Sequence, residues 1–419
     1  MKIFVDLTKN KCKTKEKKNL IQFLKNRPMQ FLLLFLFIEL MLLMYIKLGP
    51  QPSMVITADG KLYYNLAENL VNGKGLINTI REEDIIVPPL FALILVPFVF
   101  LFNSAVPFIV FQYILFAING VYISYLAGKL FHSRITALLT GLIYAVHPVL
   151  LLNGPQYLLT ETIFISFLLI VLHLAILWLR EPANWKNFAA LILVLSLSLL
   201  FRPHLMFMFP VILLFAGYFL LKKRQNWKSL LAFIVPVILL LINGWYNYYL
   251  HDEFVPLENY SGMNLYIANN PETEIGFYNS HMLDDYVGPI YHEVKDVPLS
   301  EKSEILQKEA LDYIIGYPIE TAKRVITKFF LFFKGIHLID WLTIFGSAVG
   351  LLWAFLRLKD QRVVWLFLLV YIIGFGALTS AGLLVGGQRY RTPIIPVYLP
   401  FTAFLLAQVV SMFRHRGSN

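Results

Sequence analysis

Charge and cysteine are the scarcest features of this chain. Only 15% of its 419 residues are charged, where a soluble protein carries about a quarter. That deficit excludes a water-facing surface over most of the chain. The single cysteine, Cys12, excludes an intrachain disulfide and a thiolate metal cluster. There is no phosphate-cradling glycine loop, no metal-spaced histidine cluster, no short-period repeat and no low-complexity run. What remains is apolar: 58% of residues are hydrophobic and 15% aromatic, with a mean hydropathy of +0.64. Repeated apolar runs of about 20 residues make the chain an all-α polytopic membrane protein. The expectation is about ten or eleven transmembrane helices, juxtamembrane helices in the first outer loop and a small extracytoplasmic subdomain.

The net charge of +10 is uneven. Residues 1–28 hold nine Lys/Arg against Asp6 and Glu16, a tail that the positive-inside rule keeps in the cytoplasm. Anionic lipid of the inner leaflet is the simpler partner for it than nucleic acid. The tail is long for a signal peptide and no small-residue cleavage site follows, so 29–47 reads as an uncleaved first span. Further apolar segments are 89–102, 106–127, 135–152, 161–179, 187–201, 205–221, 229–249, 338–356, 363–380 and 393–412. The connectors Lys129–Arg134, Arg180–Lys186, Lys222–Lys228 and Arg357–Arg362 and the tail Arg414–Arg416 are basic. They share one side only if 89–102, which is short and carries Pro88, Pro89 and Pro97, does not cross. About ten crossings with both termini inside follow.

The expected division is a cytoplasmic tail (1–28), a transmembrane catalytic module (29–250) with a first outer loop (48–105), an extracytoplasmic loop subdomain (251–337), C-terminal transmembrane helices (338–413) and a second tail (414–419). Within the first loop, Leu62, Tyr63, Leu66, Ala67, Leu70 and Val71 recur at helical spacing with Asn65, Glu68 and Asn69 opposite. That predicts an amphipathic helix in the interface, ended by Gly73 and Gly75. The later loop, 251–325, holds 14 of the 26 acidic residues and five Lys/Arg.

Asp59 opens that helix at the expected outer edge of the bilayer. It serves either as a helix cap or as chemistry on a lipid-borne headgroup. Glu161, after Thr160 at the start of a span, is either a helix-start carboxylate or a second site acid. Arg202, Arg389, Arg391 and Arg81 all fall on the outer side, where basic residues are less common. Each alone reads equally as snorkelling to headgroups. Converging, they suit a phosphate, because a guanidinium grips phosphate oxygens with paired hydrogen bonds. Glu83 and Asp84 beside Arg81 are candidates for acceptor or metal. Glu39 and His173, at membrane depth, read as inward packing residues; His147 beside Pro148 carries little information.

Asp59, Tyr63, Ala67, Leu70, Gly73 and Gly75, followed by Pro88-Pro89-Leu90, Thr160-Glu161, Arg202-Pro203 and Arg389-Tyr390-Arg391 with Pro393 and Pro396, form an ordered series. A loop at Gly262 to Pro271 continues it. In this series the chain resembles the C-type-fold glycosyltransferases that use polyprenyl-phosphate sugars, nearest the protein O-mannosyltransferase and aminoarabinose-transferase branch. The resemblance implies a catalytic base at Asp59, a second acidic position at Glu161 and a polyprenyl-phosphate sugar as donor. It departs in one respect. The lipid A branch has an acidic-basic pair before Pro-Pro, and here those positions are Ile86 and Val87, so the acceptor (lipid, glycan or protein) is left open.

Under this reading Asp59 takes the proton of an acceptor hydroxyl and the arginines neutralise the leaving lipid phosphate, with inversion at the anomeric carbon. Two carboxylates without histidine also admit a hard cation such as Mg or Mn. The rivals are a lipid-linked sugar transporter, which needs broken or polar helices at midplane, a lipid-linked polysaccharide ligase or polymerase, and a non-catalytic lipid-phosphate binder.

Overall fold

The structure, a computed structural model, describes residues 58–81, 84–273, 296–383 and 388–416, with residues 32, 36, 39, 40, 275, 290, 293 and 294. Most of the expected first span, both ends of the chain, Glu83 and much of the acidic loop lie outside the described residues. The described chain is helical. In order, the helices are α1 Ala58–Val71, α2 Leu90–Phe102, α3 Val106–Phe131, α4 Arg134–Val146, α5 Pro148–Asn153, α6 Glu161–Arg180, α7 Trp185–Leu199 and α8 Met208–Leu221. There follow α9 Ile234–His251, α10 Ser261–Ala268, α11 Leu299–Gly316, α12 Pro318–Phe332, α13 Leu338–Arg357, α14 Arg362–Gly382 and α15 Ile395–Arg416. Short 3₁₀ turns precede α8, α9, α14 and α15.

Among the described residues, seven helices are long and apolar enough to cross a membrane. Three apolar helices are shorter: α2, α4 and α7. The segment expected as one span over 135–152 is divided, because His147 precedes Pro148 and takes an extended backbone (φ −71°, ψ 116°). A residue before proline is pushed out of the helical region by the ring's Cδ. α4 ends there and α5 starts on the proline.

Small residues let the helices approach. A Cβ added at Gly350 of α13 would lie 2.1 Å from the Phe401 carbonyl oxygen of α15. Across the same contact, Ser347 Oγ donates to Tyr398 O (2.7 Å) and Thr402 Oγ1 to Thr343 O (2.8 Å). Where lipid is as apolar as leucine, close approach and hydrogen bonds of this kind drive association. Between α3 and α6, Asn119 Nδ2 donates to Thr162 O at 3.0 Å. His173 meets Tyr122 OH at 2.6 Å, which fits its reading as a packing residue.

The two ends of the bundle differ in chemistry. At one end Gln361 ties the basic connectors together: Arg180 Nη2 donates to its Oε1 (2.7 Å) and its Nε2 to Leu130 O (3.1 Å). α6 runs from there to Glu161, a rise of about 30 Å for a helix of this length. Glu161 therefore sits at the opposite end.

At that end α1 is packed against protein. Leu62, Leu66 and Ala67 are buried, and Leu62 and Leu66 cluster with Ala92. The face expected to be solvated is covered as well: Asn65 accepts from Thr79 N (2.9 Å) and Asn69 donates to Ile77 O (2.8 Å). The polar stripe satisfies the backbone of the returning loop instead of facing water, since a buried loop needs partners for its amides. Gly73 (φ 74°) and Gly75 (φ 88°) end α1 in left-handed backbone.

α10 and α11 form a satellite with its own cluster of Tyr266, Ile267, Leu306 and Ala310. α12 fastens it to the bundle. Lys328 Nζ donates to Ala268 O (2.9 Å) and Arg324 Nη2 to Thr273 O (2.8 Å). Burial, and then the charge of Arg324, lower the Lys328 ammonium from 10.5 to about 7. Above pH 7 the folded chain has released a proton that the unfolded chain keeps to about pH 10.4, so this lysine adds stability as pH rises through that window. The thermal midpoint of purified wild-type protein is therefore expected to climb more steeply between pH 7 and pH 9 than that of Lys328→Met. Equal slopes would refute the assignment.

Candidate active site

Four elements meet at the Glu161 end. Asp59 is in the first turn of α1, so its carboxylate leaves the helix start. Glu161 begins α6. Arg202 follows α7, its N–H bonded to Ser198 O (2.8 Å) and its backbone extended (φ −153°, ψ 128°) before Pro203, which directs the side chain off the helix end. Leu90 N bonds Leu200 O (2.9 Å), so the start of α2 is joined to the same corner. Arg389 comes from the 3₁₀ turn Gln388–Ile394 between α14 and α15.

Arg389 is the hub. Its Nη1 donates to Asp59 Oδ2 at 2.7 Å and its Nε to Glu161 Oε1 at 2.6 Å. Arg202 Nη2 donates to the same Glu161 oxygen at 2.8 Å. Arg81 lies 3.8 Å from Asp59 Oδ1. Glu161 is fully buried, whereas the Asp59 side chain is 45% exposed. A buried carboxylate needs paired charge and hydrogen bonds to remain ionised, and Glu161 has two guanidiniums. Asp59 is held by Arg389 yet reaches solvent. Thr160, which precedes α6, makes no side-chain capping bond.

Of the seven described candidates, Asp59, Glu161, Arg202, Arg389 and Arg81 are joined through these contacts. Arg391 lies elsewhere. Its fully buried guanidinium is paired with Asp340 of α13 and donates Nη1 to Phe332 O (3.1 Å) and Lys334 O (3.0 Å). Two residues along a three-residue turn lie on different faces, so Arg389 and Arg391 cannot both point at one phosphate. Asp340 also accepts from Ile336 N (3.1 Å), and His147 Nε2 stands 3.7 Å from its other oxygen. Asp84 is paired with His251 Nδ1 at 2.7 Å, and Glu83 is outside the described residues.

Tyr63 belongs to the series read in the sequence, whereas Glu258, Tyr260 and His204 were not singled out there. Tyr63, one turn after Asp59, packs edge-on against Phe91 (4.7 Å), and burial pushes its hydroxyl up to about 12. Glu258 and Tyr260, after α9, lie within electrostatic reach of Arg202 and of Asp59 respectively. His204 stacks on Phe375 (6.2 Å), with both ring nitrogens buried and without a hydrogen-bond partner among the described residues. The signal for Glu258 and Tyr260 was weak: an acid and a tyrosine in an irregular loop have no spacing to mark them.

Among the described residues no group of three or more His, Cys, Asp or Glu is placed to hold a metal ion. Arg389 already bridges Asp59 and Glu161. This donor set does not fit a divalent ion joining those two carboxylates.

Compared with known families, residues 87–246 match the model of the dolichyl-phosphate-mannose-protein mannosyltransferase family. The matched stretch includes Pro88-Pro89, Thr160-Glu161 and Arg202-Pro203, three of the motifs that carried the sequence resemblance. Asp59, Arg389 and Glu258 lie outside it. No curated protein matches the chain.

Proposed function

We propose that this chain is a membrane glycosyltransferase that moves a sugar from a polyprenyl-phosphate donor to an acceptor hydroxyl on the outer face of the membrane, with Asp59 as general base. The observation that carries the reading is Arg389, which joins Asp59 and Glu161 at 2.7 and 2.6 Å from residues 330 and 228 positions away in sequence. A carboxylate open to solvent beside three guanidiniums suits one reaction class: nucleophilic displacement of an anionic leaving group.

The chemistry balances as a single displacement. The acceptor oxygen bonds to the anomeric carbon as that carbon's bond to the phosphate oxygen breaks. The hydroxyl proton passes to Asp59. The bonding electrons leave with the lipid phosphate, whose charge rises by one and is met by Arg202, Arg389 and Arg81. Attack opposite the leaving group inverts the anomeric centre. Glu161 holds Arg202 and Arg389 in position. Phosphate oxygens compete with Asp59 for Arg389, so donor binding frees the base at the moment it is needed.

The family match over residues 87–246 supports this class of donor. The gathering of the basic connectors around Gln361, at the far end of α6, supports an extracytoplasmic site with both termini inside. The proposed organisation keeps 29–250 as the catalytic module, 251–337 as an extracytoplasmic subdomain and 338–413 as C-terminal helices.

Binding of undecaprenyl phosphate to the purified protein tests the donor half. Arg389→Gln and Arg81→Gln are each expected to weaken it, by about 10- to 100-fold for Arg389, the loss of a charge-assisted contact. Dissociation constants unchanged in both variants would overturn the reading.

A further inference from the structure

We infer that His147 is a positioning residue for the donor phosphate: from the break between α4 and α5 it locks a buried cluster that sets Arg389 against Glu161. The inference rests on the proposed transferase reading and adds to it a residue that meets neither donor nor acceptor.

The side chains of His147, Asp340 and Arg391 are fully buried, and Thr343 nearly so. They come from three elements: the break before Pro148, α13, and the 3₁₀ turn Gln388–Ile394. His147 Nε2 meets Thr343 Oγ1 at 3.2 Å and stands 3.7 Å from Asp340 Oδ1. The other Asp340 oxygen accepts from Arg391 Nη2. The Thr343 hydroxyl already donates to Asp340 O (2.8 Å), so its oxygen accepts and the imidazole donates. His147 therefore carries a proton on Nε2, on the side that faces the Asp340 carboxylate. Thr343 is tied onward as well, since its carbonyl accepts from Thr402 Oγ1 of α15 (2.8 Å).

Both branches of this cluster lead to the site. Arg389 stands two residues before Arg391 on a 3₁₀ turn, a conformation whose own hydrogen bonds are poor. Arg391 fastens that turn from behind, to Asp340 and to the carbonyls of Phe332 (3.1 Å) and Lys334 (3.0 Å). On the other branch, His147 O accepts from Leu151 N (3.1 Å), and α5 packs against the same 3₁₀ turn. The chain then runs to Glu161, held on the way by Gln112 Nε2 at Tyr157 O (3.1 Å). The contact between Arg389 Nε and Glu161 Oε1, at 2.6 Å, thus joins two segments that are locked to each other behind the site. A hydrogen bond of that length tolerates little drift of either backbone. His147 is the member of the cluster that belongs to the Glu161 branch and touches the Arg391 branch.

Binding of undecaprenyl phosphate to full-length protein, measured below the thermal midpoint of each variant, tests the assignment. Glutamine places an amide N–H near the position of Nε2, and asparagine near that of Nδ1. His147→Gln is therefore expected to bind within about twofold of wild type. His147→Asn is expected to bind about 3- to 10-fold more weakly, the loss of one buried hydrogen bond. Thr343→Val removes the acceptor, is expected to match His147→Asn, and takes its place should that variant not fold. In an Arg389→Gln background, His147→Asn is expected to change the dissociation constant by less than about twofold, because residues that act through one another are not additive. A residue that merely supports the core would weaken binding by the same factor in both backgrounds, and that result would overturn the inference. So would equal losses in His147→Gln and His147→Asn. The underlying reading fails separately: if Arg389→Gln and Arg81→Gln leave lipid-phosphate binding intact, the transferase site falls and this inference with it. A loss in Arg389→Gln beside wild-type affinity in His147→Asn and Thr343→Val sinks the inference alone.

Discussion

Asp59→Asn is expected to lower turnover by about 10²- to 10⁴-fold, the range for loss of a general base, with donor binding kept or tightened. Asparagine has the same shape and its carbonyl oxygen still accepts from Arg389, so the local geometry survives. It cannot accept the hydroxyl proton. The side chain is 45% exposed, and ion pairs at that exposure contribute about 0–1 kcal/mol, so the fold should tolerate the change. The direction of the binding effect separates the base from a mere arginine holder. Without a carboxylate, Arg389 is drawn less strongly toward residue 59 and is freer for phosphate oxygens. Steady-state transfer and an independent donor dissociation constant decide the matter. Full turnover in the variant would remove Asp59 from the chemistry, and a large loss of donor affinity would recast it as a structural residue.

The largest stability effect is expected at Asp340. Asp340→Ala leaves the Arg391 guanidinium fully buried without its counter-charge, keeping only the carbonyls of Phe332 and Lys334. Breaking one side of a buried pair costs about 3–5 kcal/mol, because the stranded charge keeps its desolvation penalty. The thermal midpoint in detergent should fall by many degrees. The double change Asp340→Leu with Arg391→Met should recover much of that loss, since it removes both charges and fills the space. Arg391 stands two residues from Arg389 on one short turn, so the pair also sets where Arg389 points. Donor affinity is expected to fall in Asp340→Asn even at temperatures where the protein remains folded. A single variant with an unshifted midpoint would show that the pair bears no weight.

Several parts of this molecule were legible as a string of residues. The membrane class, the short helix within 89–102 (13 residues) and the Gly73–Gly75 stop follow from hydropathy, length and backbone restriction. Each of these acts over one helix or one turn. Asp59, Glu161, Arg202, Arg389 and Arg81 were legible as candidates because charge is rare here and each sits at an apolar boundary. Arg391 met the same criteria and is nonetheless core: nothing in Arg-Tyr-Arg tells which guanidinium faces Asp59 and Glu161 and which faces α13. Asn65 and Asn69 looked like a solvated stripe and are buried, since a polar face is read the same way whether water or a loop backbone satisfies it.

What the residue order settled on its own was a lipid-embedded helical protein with its scarce charges at helix ends, because transfer out of water is a local, additive property. Which of those charges meet was left to the packing of helices. Arg389 finds Asp59 across 330 residues, and Glu161 across 228, only once α1, α6 and the turn before α15 have docked. A hydrogen bond needs its atoms within about 3 Å, and that precision comes from the whole bundle.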